Sequence, residues 1–210
     1  GHRDVLRLAC LPTFGAVWLM PRLAAFSALA PEVTFDMATT FGPVDFDQGP
    51  LDFAIWRGGV PAGQRADLLA RERLVVVAAR DLLPEGARPL DDARLAQLPL
   101  LQQSTRPNLW RDWFSETGPD PIATARGARF EQFGMVLAAA RAGMGAALVP
   151  EVLAADDIAR GTLHIASTRW LDTGTPYMLV YPERSLDVAA FRLLRDWLIG
   201  DKDAAKGPLR

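Results

Sequence analysis

Leu6-Arg-Leu-Ala-Cys-Leu-Pro-Thr-Phe-Gly-Ala-Val-Trp-Leu-Met-Pro-Arg-Leu-Ala-Ala-Phe26 changes its hydrophobic period part-way along. Residues 6–11 are an apolar run of strand length and read as a buried strand. From 17 to 29 the apolar residues return at helical spacing, with Leu19, Leu23, Phe26 and Ala30 on one stripe. Thr13 and Gly15 stand at the changeover and offer a helix start. Pro21 must fall in the first turn or kink the helix, and Pro31 ends it. A strand that turns straight into a helix, with a further strand behind it, is the building unit of an α/β fold.

The same grammar runs outward. Residues 33–40 alternate as a second strand, and 42–50 form a connection with room for one helical turn. A third strand over 51–56 leads into a loop with Gly58, Gly59, Pro61 and Gly63. Residues 74–79 are a strongly β-branched strand. Beyond it the pattern predicts a helix over 90–97, a strand over 100–103, a helix over 108–117 and a strand over 124–130. A helix over 132–142 is broken by Gly143 and Gly145 before a strand over 146–149. A short helix follows from Pro150 to near Gly161, then strands over 162–167 and 177–181. An amphipathic helix over 188–199 closes the pattern, with Phe191, Leu194 and Leu198 on its apolar face. Residues 201–210 read as a flexible tail. About nine strands are many for one sheet among so many short helices. Two sheets joined by a pair of crossing strands divide them better. A ligand is then expected at the carboxyl ends of the strands, in the crevice between the sheets.

Composition narrows the function. The 210 residues are half hydrophobic and carry a formal net charge of −2. A chain that grips nucleic acid by itself usually carries a basic excess, so direct DNA binding by this segment is not expected. Nearly all basic residues are arginine, the lysines being Lys202 and Lys206, which fits a GC-rich bacterial genome. The single cysteine, Cys10, lies in an apolar run and reads as a small core residue. Of the two histidines, His2 belongs to a Gly1-His2 pair that looks like a tag scar, and His164 lies mid-strand. No Cys/His metal set can be assembled, and no cofactor loop or Gly-x-Ser-x-Gly elbow is present. No apolar run reaches the ~20 residues that span a bilayer, and a cytoplasmic protein is the simplest expectation.

Four segments together resemble the effector-binding domain of LysR-type transcription regulators, in the branch of the glycine-cleavage activator and the β-lactamase regulator. The first runs from Thr13-Phe14 through Trp18-Leu-Met-Pro-Arg-Leu-Ala-Ala-Phe26. The others are Gly49-Pro-Leu-Asp-Phe-Ala-Ile55, the helix–Gly–strand–Pro unit ending Ala140-Arg-Ala-Gly-Met-Gly-Ala-Ala-Leu-Val-Pro150, and Tyr177-Met-Leu-Val-Tyr-Pro182 with its following helix. The likeness covers roughly residues 5–199. It implies a two-subdomain, periplasmic-binding-protein-like (type 2) fold with two hinge strands, 74–79 and 177–181. Subdomain I would be 1–74 plus 183–200, and subdomain II 75–182. It also implies a winged helix-turn-helix ahead of the first strand. Nothing before Arg3 can supply one, so a piece of a longer protein is expected. DNA would be reached only through that missing part. The implied partners are a small-molecule effector (an amino acid, a small carboxylate or a cell-wall fragment) and further copies of the chain, as a homodimer or homotetramer. One departure stands out: the family commonly has Arg directly after Ala-Ile, whereas this chain has Ile55-Trp56-Arg57. Neighbouring strand residues face opposite sides, so Arg57 is not expected to replace the usual pocket arginine, and the effector is expected to be less anionic.

The ligand-binding candidates fall at strand ends. Thr13 reads as an N-cap, or as a hydroxyl that joins the amides of Phe14, Gly15 and Ala16 in holding an anionic or polar group. Trp56 reads equally as core or as a wall for a planar ligand, and Arg57 reads first as solvated. Gln103 suits hydrogen bonding to a ligand or a surface turn. Phe130 and Glu131 lie between strand and helix, where Glu131 can cap the helix or meet a ligand amine. Tyr177 completes the set. Trp110, Trp113 and Phe114 stand at helical spacing and read as core or dimer contact. No nucleophile with a base stands out. A sensor is thus expected rather than an enzyme of the same two-lobed fold. A transporter's solute-binding protein is the alternative.

Overall fold

Ten strands form among the residues that a computed structural model describes, 4–83, 89–116 and 118–200. They are β1 (Asp4–Cys10), β2 (Val33–Thr39), β3 (Phe53–Arg57), β4 (Arg65–Ala70), β5 (Arg73–Ala78), β6 (Leu100–Gln103), β7 (Arg129–Phe130), β8 (Ala146–Pro150), β9 (His164–Asp172) and β10 (Tyr177–Tyr181). The α-helices are α1 (Pro12–Phe14), α2 (Met20–Leu29), α3 (Asp92–Leu95), α4 (Leu109–Trp113), α5 (Pro121–Thr124), α6 (Phe133–Arg141), α7 (Glu151–Arg160) and α8 (Ala189–Gly200).

The strands make two five-stranded sheets, ordered β2-β1-β3-β10-β4 and β7-β6-β8-β5-β9. In each sheet the first three strands are parallel and the fourth is antiparallel to its neighbours. The fourth strand is also the one that follows a crossing: β5 comes directly after β4, and β10 comes after the whole second sheet. The chain divides accordingly at Glu72/Arg73 and Thr173/Gly174. This corrects the expected boundaries. Residues 174–182 belong with the first unit, because β10 pairs with β3 from Tyr177↔Arg57 to Val180↔Ala54 and with β4 on its other edge.

In the first unit the segment after β1 is helical from Pro12 to Leu29, but its turns are not uniform. Gly15–Leu19 is a π-helical stretch directly ahead of α2. Pro21 lacks an amide and its ring crowds the carbonyl four residues back, at Val17. A widened turn there accommodates the ring without ending the helix. Phe53 and Tyr181 meet Phe191 of α8 at 5.4 and 4.9 Å between ring centroids. Arg195 of α8 grips Asp67 of β4 with two bonds of 2.7 and 2.9 Å, and the Tyr181 hydroxyl donates to the same carboxylate at 2.7 Å. The opposite face of this sheet buries Ala9, Phe46, Ala54, Trp56 and Val180.

In the second unit Leu74, Val76, Leu100 and Leu148 pack with Leu95, Trp110, Trp113 and Phe114. The three aromatics are therefore core, the Trp110 indole donating to the Leu101 carbonyl at 2.8 Å. Arg169 of β9 pairs with Asp92 of α3 and stacks over Trp113. The strand expected over 124–130 is instead a helical turn, α5, and a two-residue strand, β7, and the helix expected over 90–97 shrinks to α3. Residues 42–50, with room for one helical turn, form no helix but a single turn in which the Gln48 amide donates to the Asp45 carbonyl at 3.3 Å. The expected tail, 201–210, lies outside the described residues.

Candidate functional site

Where β1 ends, the Leu11 amide donates to the Ile55 carbonyl of β3 at 3.2 Å, and Pro12 starts α1. Leu11, not Thr13, occupies the N-cap position, with no side-chain cap bond. Proline at the first helical position has a preset φ and loses an amide that would be unpaired anyway, so the helix begins one residue ahead of Thr13. Thr13 is thus a half-buried residue of the first turn. The Gly15 amide, expected to be open to a ligand, donates to the Leu11 carbonyl at 2.8 Å.

Phe14 is buried and stacks on Trp18 and Tyr177, at 4.7 and 4.4 Å between centroids. The Tyr177 hydroxyl donates to Glu72 Oε2 at 3.0 Å, and Arg57 Nε donates to Glu72 Oε1 at 2.8 Å. The fold therefore brings Thr13, Phe14, Gly15 and Tyr177 together, with the two rings as the packed underside of the turn. Trp56 faces away: its indole donates to the Gly59 carbonyl at 3.1 Å, and it lies in the apolar cluster of the opposite sheet face. Strand alternation separates it from Arg57, and core is the reading the structure supports.

Beneath this turn Cys10 is buried, and the loss of hydration pushes its thiol from an ordinary 9.0 up to about 12. A thiol reagent at about pH 8 is expected to leave the folded chain unmodified and to label Cys10 only on unfolding, because the thiolate is the reactive form. The unfolded thiol ionises near 9.0 while the folded one waits until about 12. This group's contribution is therefore intact below 9.0 and is lost as pH climbs between those values. A mass shift in the folded chain at about pH 8 would contradict this.

In the second unit Gln103 ends β6 and lies in register with Phe130 of β7. Its amide nitrogen donates to the Glu131 carbonyl at 2.6 Å and meets the Thr105 hydroxyl at 2.7 Å, and the Thr105 hydroxyl lies 2.9 Å from the amide oxygen. Gln103, Phe130 and Glu131 are thus brought together, but the Gln103 amide is spent on tying the two strand-end loops. Glu131 is exposed, and its side chain does not cap the helix: Gln132 holds the N-cap position of α6, without a side-chain cap bond. Arg106 lies over the Phe133 ring at 5.6 Å.

Sequence reading missed Glu72 and Thr105. Glu72 lies in Arg71-Glu72-Arg73, which reads as a solvated charged turn, yet it is only 1% exposed. Its burial depends on strands that meet only after folding. Thr105 follows Gln102-Gln103 in a plain polar loop with no motif around it.

A comparison with known protein families matches residues 1–201 to the LysR substrate binding domain. The chain belongs to that family. The LysR domain here is 35% identical over 191 residues to the HTH-type transcriptional regulator TrpI of Pseudomonas aeruginosa, covering 88% of this chain and 64% of that protein. It is 28% identical over 211 residues to the glycine cleavage system transcriptional activator of Escherichia coli, covering 99% of this chain and 68% of that one. The chain thus spans roughly two thirds of the length of these relatives, between 64% and 68%. Among solved structures, the effector domain of the transcriptional regulator AmpR of Pseudomonas aeruginosa superposes with a TM-score of 0.73 at 31% identity, over 96% of this chain and 95% of that one. The resemblance read from the motifs holds, including the glycine-cleavage branch, and so does the type 2 periplasmic-binding-like fold.

Proposed function

We propose that this LysR domain is the effector-sensing part of a bacterial DNA-binding transcription regulator and holds a small molecule at the carboxyl ends of its parallel strands. The family match across residues 1–201 carries this reading, and the relatives, being regulators, favour it over a transport role. The effector is an amino acid, a small carboxylate or a cell-wall fragment. No bond is made or broken: the effector binds one conformation better than another, and that difference in affinity is the signal. DNA is contacted by a helix-turn-helix segment outside this sequence, and the regulator works in the cytoplasm. No helix among the described residues is long and apolar enough to cross a membrane.

The test is a thermal-shift screen of small metabolites, followed by calorimetry on native chain and Thr13→Val. Valine keeps the shape and removes the hydroxyl, so stability should change by less than about 1 kcal/mol. A lost hydrogen bond of about 1 kcal/mol predicts an effector affinity lower by roughly five- to tenfold. An unchanged affinity removes Thr13 from the site, and turnover of any metabolite overturns the sensing reading.

The regulator assembles from several copies of the chain, through its first helix and a helix of the second unit. The first helical segment exposes Met20 and Leu29, and α6 exposes Met135. Sedimentation of the chain at high concentration should show a dimer that Met135→Glu weakens. A strict monomer would argue against this interface.

A further inference from the structure

Arg57 is the last residue of β3 and lies opposite Tyr177 of β10, so the two share a sheet face. That is the face on which Phe14 stacks against Tyr177. Ile55, two residues earlier, is paired with Cys10 and receives the Leu11 amide. Arg57 therefore stands at the same carboxyl edge as the Thr13 turn.

Its guanidinium is half engaged. Nε donates to Glu72 Oε1 at 2.8 Å, and the second Glu72 oxygen takes the Tyr177 hydroxyl at 3.0 Å. The Glu72 side chain is wholly buried, whereas that of Arg57 remains 27% exposed. The terminal nitrogens Nη1 and Nη2 make no hydrogen bond among the described residues, nor are they buried polar atoms lacking a partner. They are therefore accessible to solvent.

An arginine whose only task is to neutralise a buried carboxylate would be expected to meet it side-on, through Nε and one terminal nitrogen, because the two-bond arrangement is stronger. Here one bond is used, and the end-on fork is left unbonded and partly accessible. Glu72 fixes the plane of the guanidinium and cancels its charge. Little ordering entropy then remains to be lost when an acid arrives.

We propose that the Nη1/Nη2 fork of Arg57 is the docking point for the acidic group of the effector, held in orientation by Glu72. Because the pair is neutral overall, it suits a molecule with a single carboxylate rather than a polyanion. This inference deepens the sensing reading and rests on it.

The test titrates sodium propionate, and its neutral analogue propionamide, into the chain while following the Arg57 side-chain nitrogens by NMR. Propionate should give a saturable shift of the Nη signals and propionamide none. Arg57→Lys keeps the charge for Glu72 but lacks the fork, and should bind propionate about tenfold more weakly. Arg57 and Glu72 both replaced by Gln keep hydrogen-bonding groups without charge, and should show no saturable response. If that double variant does not fold, the lysine variant decides alone. Equal affinity in Arg57→Lys, equal binding of propionamide, or no saturable shift in native chain each overturns the proposal. A metabolite that raises the melting temperature of native and Arg57→Lys chains alike would overturn it too, and leave the sensing reading standing. If no metabolite binds while propionate still saturates Arg57, the sensing reading is what falls.

Discussion

Gly127→Ala is expected to unfold the second unit, or to leave it destabilised by more than about 4 kcal/mol, a range reached only by severe core disruption. A Cβ at this position would lie 2.1 Å from the Leu100 carbonyl oxygen and 3.1 Å from its carbon. That neighbour is backbone at the start of β6, so no side chain can swing away. The φ of 148° adds a second penalty, since it lies where residues with a Cβ are rarely found. The approach is close because the next residues seal the sheet edge: the Gln102 amide donates to the Ala128 carbonyl at 2.8 Å. On the other side of β6, a Cβ on Gly145 would come within 2.5 Å of the Pro99 carbonyl oxygen, where the Ala146 amide donates at 2.8 Å. The strand that presents Gln103 is clasped by two glycines. Gly161→Ala is the control: its φ is 71°, but a Cβ there meets nothing within 4 Å, so only the backbone penalty of about 1 kcal/mol applies. Denaturant melts followed by tryptophan fluorescence and circular dichroism would check both. A Gly127→Ala chain with a melt within error of Gly161→Ala would refute the steric argument.

Those glycines show what was legible in the sequence and what was not. The helix break at Gly143 and Gly145 could be read directly, because a strong helical period stops there and a short apolar run of strand length, closed by Pro150, begins. Gly127 could not, since it lies within 124–130, a short stretch between two helical patterns that reads as one strand and has no periodicity of its own to correct that. Its actual course, a helical turn and then two paired residues, is imposed by β6 lying alongside. β4 was missed for the opposite reason: Arg65-Ala-Asp-Leu-Leu-Ala70 has no clean period of its own and becomes a strand by pairing with β10, more than a hundred residues away. The same long-range pairing moved 174–182 from one unit to the other.

In the candidate site, the strand-end residues could be named from the sequence and their partners could not. Thr13 and Gln103 could be named because a polar residue where a strand ends and a helix or turn begins is visible locally. That Gln103 spends its amide on Glu131, that Trp56 turns into the core while Arg57 turns out, and that Glu72 lies buried between Arg57 and Tyr177 all depend on residues distant in the chain. Alternation predicted that Trp56 and Arg57 would face opposite sides. It did not say which side carried the turn, and that side is settled by Phe14 stacking on Tyr177.

Phe14→Ala should therefore cost the first unit about 3–5 kcal/mol, the usual range for emptying a fully buried aromatic position. That corresponds to a melting temperature lower by roughly 10–20 °C. Phe14 is 1% exposed and has two stacked neighbours, so the cavity would open beneath the turn that carries Thr13. Phe14→Leu refills most of the volume and should recover more than half of the loss, without the stacking that adds about 0.5–1.5 kcal/mol per aromatic pair. If Phe14 instead met the effector directly, Phe14→Leu would leave stability nearly native and abolish binding. If it acts through packing, stability and effector affinity fall together in Phe14→Ala and return together in Phe14→Leu. Calorimetric unfolding and effector titration of the same two variants separate these outcomes. The packing account requires the second, because the ring has no exposed face left with which to meet a ligand.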